Sequence, residues 1–259
     1  MPYFKKSLGQ HFLVDKNVLA KIISTVNPQV GEVIIEIGAG RGALTQYLLE
    51  TKVKLISIEI DKHLVEYLHE KFGKNLDFEI IEGDALKINY EVLFKKYGKF
   101  RVVSNIPYNI TSPLIFKMID NRDFIRDVYF MVQKDVAERL IAMPGAKEYG
   151  LLSVILGFVA DVKKNFDVSR NCFRPVPEVD SSFVSIFFKD LELEEVFFEK
   201  FKRIVKAAFG KRRKMLRNSL REFVPSGEEI DFDLSRRPDS MGVEDFVKLT
   251  RMLWENIAL

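Results

Sequence analysis

The first residues able to do chemistry cluster around a glycine-rich turn. Val33-Ile34-Ile35-Glu36-Ile37-Gly38-Ala39-Gly40-Arg41-Gly42-Ala43-Leu44-Thr45 reads as a buried strand entering a turn that opens a helix. Glycines let the backbone turn sharply and lie against a ligand, and a helix N-terminus offers it unpaired N–H groups. Gly38, Gly40 and Ala43 satisfy G-x-G-x-x-G/A, and Glu59 follows Gly38 by 21 residues, where an acid accepting from a ribose is expected. The pattern alone does not separate a nicotinamide dinucleotide from S-adenosylmethionine, and a ligand-free strand–helix turn is the ordinary alternative. Glu36, one residue from the turn, weighs against a pyrophosphate and suits a ligand carrying ammonium and sulfonium cations. Glu59 can accept from both ribose hydroxyls, and Asp84, in Ile81-Glu82-Gly83-Asp84-Ala85, from the exocyclic amine of an adenine. A solitary strand-end acid is usually a surface residue or a helix cap. Three in register behind one glycine turn form a ligand set.

Such a set needs parallel strands ending side by side. Short β-rich runs at Val33–Ile37, Leu55–Glu59, Phe78–Ile81, Val102–Ser104, Val128–Val132 and Phe183–Phe188 alternate with helical patterns near 43–50, 62–72, 91–97, 112–119 and 134–141. That alternation predicts βαβ units, hence a doubly wound α/β domain whose ligands sit outside the carboxyl ends of the strands. Val18, Leu19, Ile22, Ile23 and Val26 recur at helical spacing behind a cap at Asp15. After Lys189 the strand signal stops, and Phe197, Phe201, Ile204, Val205, Ala208 and Phe209 follow helical periodicity. The expected division is a catalytic domain over 1–189, with an N-terminal arm and helix over 1–30, and a helical domain over 190–259.

With 47% hydrophobic and 30% charged residues among 259, the chain can bury a full core and is not disordered. No apolar stretch approaches the roughly 20 residues that span a bilayer, and no apolar run follows the N-terminal lysines, so neither membrane insertion nor a signal peptide is expected. The single cysteine, Cys172, excludes an internal disulfide and suits a reducing cytoplasm. His11, His63 and His69 have no matching ligand set, so no metal is expected. The net charge of +3 hides an uneven distribution. Lys200 to Arg221 holds ten basic residues and no acidic one, which leaves −7 on the other 237 residues. A solvated helix face would interleave glutamates for i,i+4 pairing, and this one does not. A basic segment on a mildly acidic body points to a polyanionic partner.

The fourth strand runs into Ser104-Asn105-Ile106-Pro107-Tyr108-Asn109-Ile110-Thr111-Ser112-Pro113, which in isolation could be a β-turn built on Asn and Pro. Behind the cofactor constellation it resembles the Asn/Asp-x-Pro-Tyr/Phe mark of amino-methylating enzymes. An adenine N6 is a poor nucleophile because its lone pair is delocalised into the ring. The Asn105 side-chain oxygen and the Ile106 carbonyl, aimed at its hydrogens, would favour the pyramidal nitrogen that develops during attack. Pro107 would fix the backbone so that the preceding carbonyl points inwards, and Tyr108 would stack on an extruded base.

The likeness extends along the chain. Lys5-Lys6-Ser7-Leu8-Gly9-Gln10-His11-Phe12-Leu13, Phe173-Arg174-Pro175-Val176-Pro177-Glu178-Val179-Asp180-Ser181, Ala208–Leu220, Arg236-Arg237-Pro238 and Gly242–Phe246 resemble segments of the ribosomal RNA adenine dimethyltransferases, the KsgA-type enzymes and their relatives. The resemblance implies a Rossmann-like class I methyltransferase with a mainly parallel seven-stranded sheet and a small C-terminal helical domain. It implies S-adenosylmethionine held by His11, Leu13, Glu36, Gly38, Gly40, Glu59, Asp84 and Asn105, and catalysis by Asn105, Ile106, Pro107 and Tyr108. Phe173 would clamp the flipped adenine from the face opposite Tyr108. The family often has Asn at position 11, where an imidazole nitrogen could make one of the amide's hydrogen bonds. RNA would be held by Lys5, Lys6, Lys206, Lys211, Arg212, Arg213, Lys214 and Arg217 through phosphate contacts, making binding salt-dependent.

The expected reaction is methylation of N6 on two adjacent adenosines near the 3′ end of small-subunit rRNA, by a cytoplasmic monomer acting on an immature 30S-type particle. One rival is the macrolide-resistance type, which modifies an adenine of large-subunit RNA. Pro113 after Thr111-Ser112, Asp180 before Ser181 and the Lys211–Leu220 segment look more like the small-subunit type. A non-catalytic ribosome-assembly factor would not need the intact Asn105–Tyr108 motif. A nicotinamide dehydrogenase would leave both that motif and the basic segment unexplained.

Overall fold

Runs that are apolar on both sides of the chain make the central strands. β2 (Val33–Ile37) and β3 (Lys54–Glu59) are buried almost throughout, as expected of parallel strands covered on both faces rather than of a sheet with one wet side. The computed structural model describes residues 11–224 and 230–254. Lys5 and Lys6 lie outside the described residues. These divide into two compact units, the first comprising 11–137 and 163–188, the second 138–162, 189–224 and 230–254.

The first unit opens with β1 (Phe12–Leu13) and α1 (Lys16–Val26), whose cap is the Asp15 carboxylate accepting from the N–H groups of Asn17 and Val18. Then follow β2, α2 (Ala43–Glu50), β3, α3 (Lys62–Phe72), β4 (Phe78–Glu82), α4 (Tyr90–Tyr97), β5 (Phe100–Asn105), α5 (Thr111–Asp120), β6 (Ile125–Gln133) and α6 (Lys134–Leu140). After α7 (Leu151–Val159) come β7 (Ala160–Val168), β8 (Phe173–Arg174) and β9 (Ser181–Phe188). The sheet has seven strands in the order β4-β3-β2-β5-β6-β9-β7. β4 to β6 in that order pair in parallel, and β9 runs antiparallel to β6. The strand order reverses beside β2, so the ends of β2, β3 and β5 flank a crevice. Leu19, Ile22 and Val26 of α1 join Ile34, Leu48, Leu55 and Val103 in the core.

At the amino ends of the strands the Arg101 guanidinium makes a two-pronged bond to Asp127, at 2.8 and 3.1 Å. It also donates to Glu32 at 2.9 Å, to the Val26 carbonyl at 2.8 Å and to the Tyr129 hydroxyl at 3.1 Å. This network ties the end of α1 to the starts of β5 and β6.

Two elements depart from the pattern read in the sequence. β7, Ala-Asp-Val-Lys-Lys-Asn-Phe-Asp-Val, is an edge strand with mostly exposed or half-exposed side chains and lacks an apolar run. α7, Leu-Leu-Ser-Val-Ile-Leu-Gly-Phe-Val, is buried on most sides, so its composition hides the 3.6-residue period.

The second unit contains α7, α8 (Glu195–Gly210), α9 (Leu216–Ser219) and α10 (Val243–Met252). α8 buries Phe198, Phe201, Ile204, Val205 and Ala208 on one stripe. The Phe158 ring of α7 lies 4.5 Å from Phe201, and Phe209 lies 5.9 Å from Phe246 of α10. Residues 138–162 thus belong with this unit, although the sequence boundary at 189/190 assigns them to the catalytic domain. The reason is the apolar α7, which packs against α8 and α10.

Candidate active site

Left-handed backbone shapes the turn after β2. Gly38 and Gly40 have φ of 70° and 58°, and a Cβ on Gly40 would come within 2.7 Å of the Phe12 ring. Gly40 N–H donates to Glu59 Oε2 at 3.0 Å, so the turn and the end of β3 are locked together. Glu59 Oε1 accepts from the N–H groups of Ile60 and Asp61, both at 3.0 Å. A carboxylate has about four acceptor positions, so one remains on Oε2 for a ligand hydroxyl. Burial pushes the Glu59 carboxyl upward against these three bonds, and Asp61 adds to the rise. Asp84, after β4, uses Oδ1 to accept from Leu86 N at 3.0 Å.

Glu36 is 2% exposed. Its Oε2 accepts from Thr45 Oγ1 at 2.6 Å and from Ser57 Oγ at 3.1 Å. Burial pushes its carboxyl up to about 7, opposed by the two hydroxyls and assisted by the charge of Glu59.

Two cavities open at the carboxyl ends of the strands, with Phe12, Gly38 and Asn105 lining both. The larger, about 210 Å³, takes in His11, Gly40, Glu59, Asp84, Ile106, Pro107 and Tyr108. The smaller, about 110 Å³, takes in Leu13, Glu36 and Arg41. The larger is walled by Ile37, Ile58, Ile60, Ala85 and Leu86, contains two carboxylates, and has neither lysine nor arginine among its described lining residues. A nucleoside fits those apolar walls and acids, and a pyrophosphate would meet carboxylates with no countercharge. These features suit S-adenosylmethionine, with Glu36 in the adjoining cavity available to a cation.

Asn105 ends β5, and its amide nitrogen donates to the His11 carbonyl at 2.9 Å. That fixes which way the amide faces and leaves Oδ1 without a donor among the described residues. The Ile106 N–H is bonded to the Met131 carbonyl at 3.3 Å, while the Ile106 carbonyl accepts nothing among the described residues. Tyr108 shares a hydrogen bond of 2.8 Å with Ser181 Oγ, and its ring stacks on His11. Burial pushes the Tyr108 phenol upward, Ser181 opposing and Asp180 assisting.

Of the residues singled out in the sequence, His11, Gly38, Gly40, Glu59, Asp84, Asn105, Ile106, Pro107 and Tyr108 line one cavity, and Leu13 and Glu36 line its neighbour. Phe173 lines neither. It is 0% exposed and lies in the core with Leu13 and Phe183, which corrects its expected place as a clamp on the base. The cause is the antiparallel pairing of β1 with β8, which sets Leu13 opposite Phe173 and turns both inward. Sequence reasoning passed over Phe12, Thr45, Ser57 and Ser181. Phe12 and Ser181 carried a signal, as members of the Lys5–Leu13 and Phe173–Ser181 segments.

The basic segment lies in the second unit. The side chains of Lys206, Lys211, Arg213 and Lys214 are exposed and make no hydrogen bond or ion pair with other described residues, and Arg217 is exposed near Asp233. Arg212 differs, because it donates to the Lys147 carbonyl at 2.6 Å and more weakly to that of Ala146 at 3.4 Å.

A mainly parallel seven-stranded sheet with a glycine turn and an acid at each neighbouring strand end defines a Rossmann-like class I methyltransferase dependent on S-adenosylmethionine. The model of the family described as ribosomal RNA adenine dimethylase matches residues 1–242, and the chain belongs to that family. A ribosomal RNA small subunit methyltransferase A of Chlorobium phaeobacteroides is 41% identical over 251 residues, covering 96% of this chain and 93% of the relative. Its counterpart in Geobacter sulfurreducens is 40% identical over 263 residues, covering 96% and 95%. Among solved structures, a dimethyladenosine transferase from Plasmodium falciparum superposes with a TM-score of 0.78 at 26% identity, covering 95% of this chain and 98% of that one. The 23S rRNA methyltransferase ErmE shares the fold, with a TM-score of 0.64 at 23% identity and coverage of 93% and 99%.

Proposed function

We propose that this protein methylates N6 of two adjacent adenosines near the 3′ end of small-subunit rRNA, giving N6,N6-dimethyladenosines. Its substrate is RNA within an immature small-subunit particle, on which it acts as a cytoplasmic monomer with a role in subunit maturation. The observation that carries this reading is the pair of acceptors at the end of β5 that meet no donor among the described residues. The amide nitrogen of Asn105 is tied to His11, which turns Oδ1 away from that bond, and among the described residues neither Oδ1 nor the neighbouring Ile106 carbonyl accepts a hydrogen bond. Two acceptors match the two hydrogens of a primary aromatic amine. The similarity to relatives named as small-subunit methyltransferases supports the choice of RNA.

S-adenosylmethionine supplies a methyl group activated by its sulfonium charge. Glu36, Glu59 and Asp84 hold the ligand by charge and hydrogen bonding, with Gly38 and Gly40 giving it room, beside His11 and Leu13. Asn105 and Ile106 hold the hydrogens of the target amine, so that its lone pair leaves conjugation with the ring and faces the methyl donor. Pro107, at φ −58° and ψ 127°, keeps the backbone extended where the Ile106 carbonyl must face inwards. Tyr108 offers its ring to the extruded base. After transfer the nitrogen is positively charged and acidic, and it loses its proton to water without a dedicated base. In the second round one hydrogen remains for either acceptor. Lys206, Lys211, Arg213, Lys214 and Arg217 contact RNA phosphates, as would Lys5 and Lys6; Arg212 also anchors the loop that presents its neighbours.

Incubating the protein with immature small subunits and methyl-labelled S-adenosylmethionine should place label on N6 of two neighbouring adenosines near the 3′ end. Label confined to large-subunit RNA would refute this and favour the macrolide-resistance type of reaction.

A further inference from the structure

Asn105 and Tyr108, which meet the amine and the base, are both held by one residue from far away in the chain. The His11 carbonyl accepts from Asn105 Nδ2 across 94 positions of sequence. The His11 imidazole stacks on the Tyr108 ring, with centroids 5.5 Å apart and 27° between the planes. Its Nδ1 lies 2.9 Å from the Pro175 carbonyl, and because a carbonyl only accepts, Nδ1–H is the donor. That bond restrains the ring's rotation. The backbone beside it is held by the pairing of Phe12 with Arg174 and of Leu13 with Phe173. At the far end of the Tyr108 ring, the hydroxyl is held by the fully buried Ser181. With Phe173 turned into the core, the aromatic ring stacked on Tyr108 among the described residues is that of His11.

We propose that His11 is a positioning residue for methyl transfer that acts through Asn105 and Tyr108. Its carbonyl turns the Asn105 amide so that Oδ1 is the atom left for the target amine, and its imidazole backs the ring on which the base stacks. This rests on the amine-methylating reading above and gives the side chain at position 11 a part in aligning the substrate amine beyond its place in the wall of the cofactor cavity. It also makes Asn105→Asp a harsh substitution here. A carboxylate is the stronger acceptor, but it would face the His11 carbonyl with no hydrogen to donate.

The test is single-turnover methylation of immature small subunits at saturating S-adenosylmethionine by the wild type, His11→Ala, His11→Phe and Asn105→Asp. Cofactor affinity of each is measured by calorimetry, which also reports that the pocket is folded. Loss of the aromatic stack in His11→Ala should slow the reaction about three- to tenfold even when the cofactor concentration is raised to saturate that variant, and His11→Phe should recover most of this saturated rate. Asn105→Asp should slow it by about 100-fold or more. The proposal is overturned if His11→Ala reaches the wild-type rate once the cofactor is saturating, if His11→Phe is no better than His11→Ala, or if Asn105→Asp matches the wild type. Failure of the wild type to methylate small subunits would instead refute the functional reading.

Discussion

The two ends of the sheet carry buried polar clusters of opposite character. At the amino ends Arg101 is surrounded by Asp127, Glu32, the Val26 carbonyl and the Tyr129 hydroxyl. Burial alone would discourage its charge, yet Asp127 and Glu32 outweigh that and hold the guanidinium above its ordinary range. At the carboxyl ends Glu36 and Glu59 are buried with no cation bonded to either among the described residues, and both carboxyls are pushed upward. Compensated charge makes a strut. Buried carboxyls without a bonded cation suit a site for a cationic ligand. The same contrast recurs within the basic segment, where Arg212 is tied to carbonyls while Lys211, Arg213 and Lys214 face solvent.

The sharpest way to break the comparison is to remove the cation from the strut. Arg101→Met leaves Asp127 buried without its partner and should destabilise the fold by about 3–5 kcal/mol, read by chemical denaturation. Cofactor affinity of the folded fraction should change little, and a large loss would mean that the two ends of the sheet are coupled.

Glu36→Gln probes the other end. A carboxyl raised from 4.5 to about 7 binds its proton more tightly in the folded chain. The resulting stability is fully present below pH 4.5 and is lost as pH rises towards 7, by roughly 3 kcal/mol in the ligand-free protein. Glu36→Gln should make this slope shallower in denaturation measured across that range, leaving the part that Glu59 contributes. Because a cationic ligand favours the ionised form, binding of S-adenosylmethionine near pH 7 should release protons, seen as a dependence of calorimetric heat on buffer ionisation. An unchanged stability slope and no proton release in the wild type would remove Glu36 from the site.

The smallest effect belongs to the exposed cations. Reversing Lys211, Arg213 and Lys214 to Glu while sparing Arg212 should flatten the salt dependence of RNA binding by about one unit of slope per lost phosphate contact, with stability within about 0.5 kcal/mol of the wild type. An unaltered slope would separate these residues from the RNA.

Much of the fold was legible because its signals are local. The run Val33–Ile37 into Gly38 and Gly40, the Asp15 cap and the stripe of α8 all appear where spacing put them. β7 escaped because an edge strand needs no apolar run, and α7 because a helix apolar on most sides loses its period. The expected ligand residues are gathered at the strand ends, but Phe173 is not among them, since which side of β8 faces inward depends on its pairing with β1. Nothing in the spacing of Arg101, Asp127 and Glu32 announced a network.

By itself the sequence determined the kinds of chemistry available, because a glycine turn, a strand-end carboxylate and an Asn-Ile-Pro-Tyr corner are short and carry their function in residue type. Tertiary structure decided which of those groups remain available. Asn105 turns its oxygen away from His11, 94 residues off, because the His11 carbonyl takes its nitrogen, and Arg212 is less free than its neighbours because carbonyls 65 and 66 residues back accept from it. Hydrogen-bonding capacity is finite, and the partners that use it up are neighbours in space rather than along the chain.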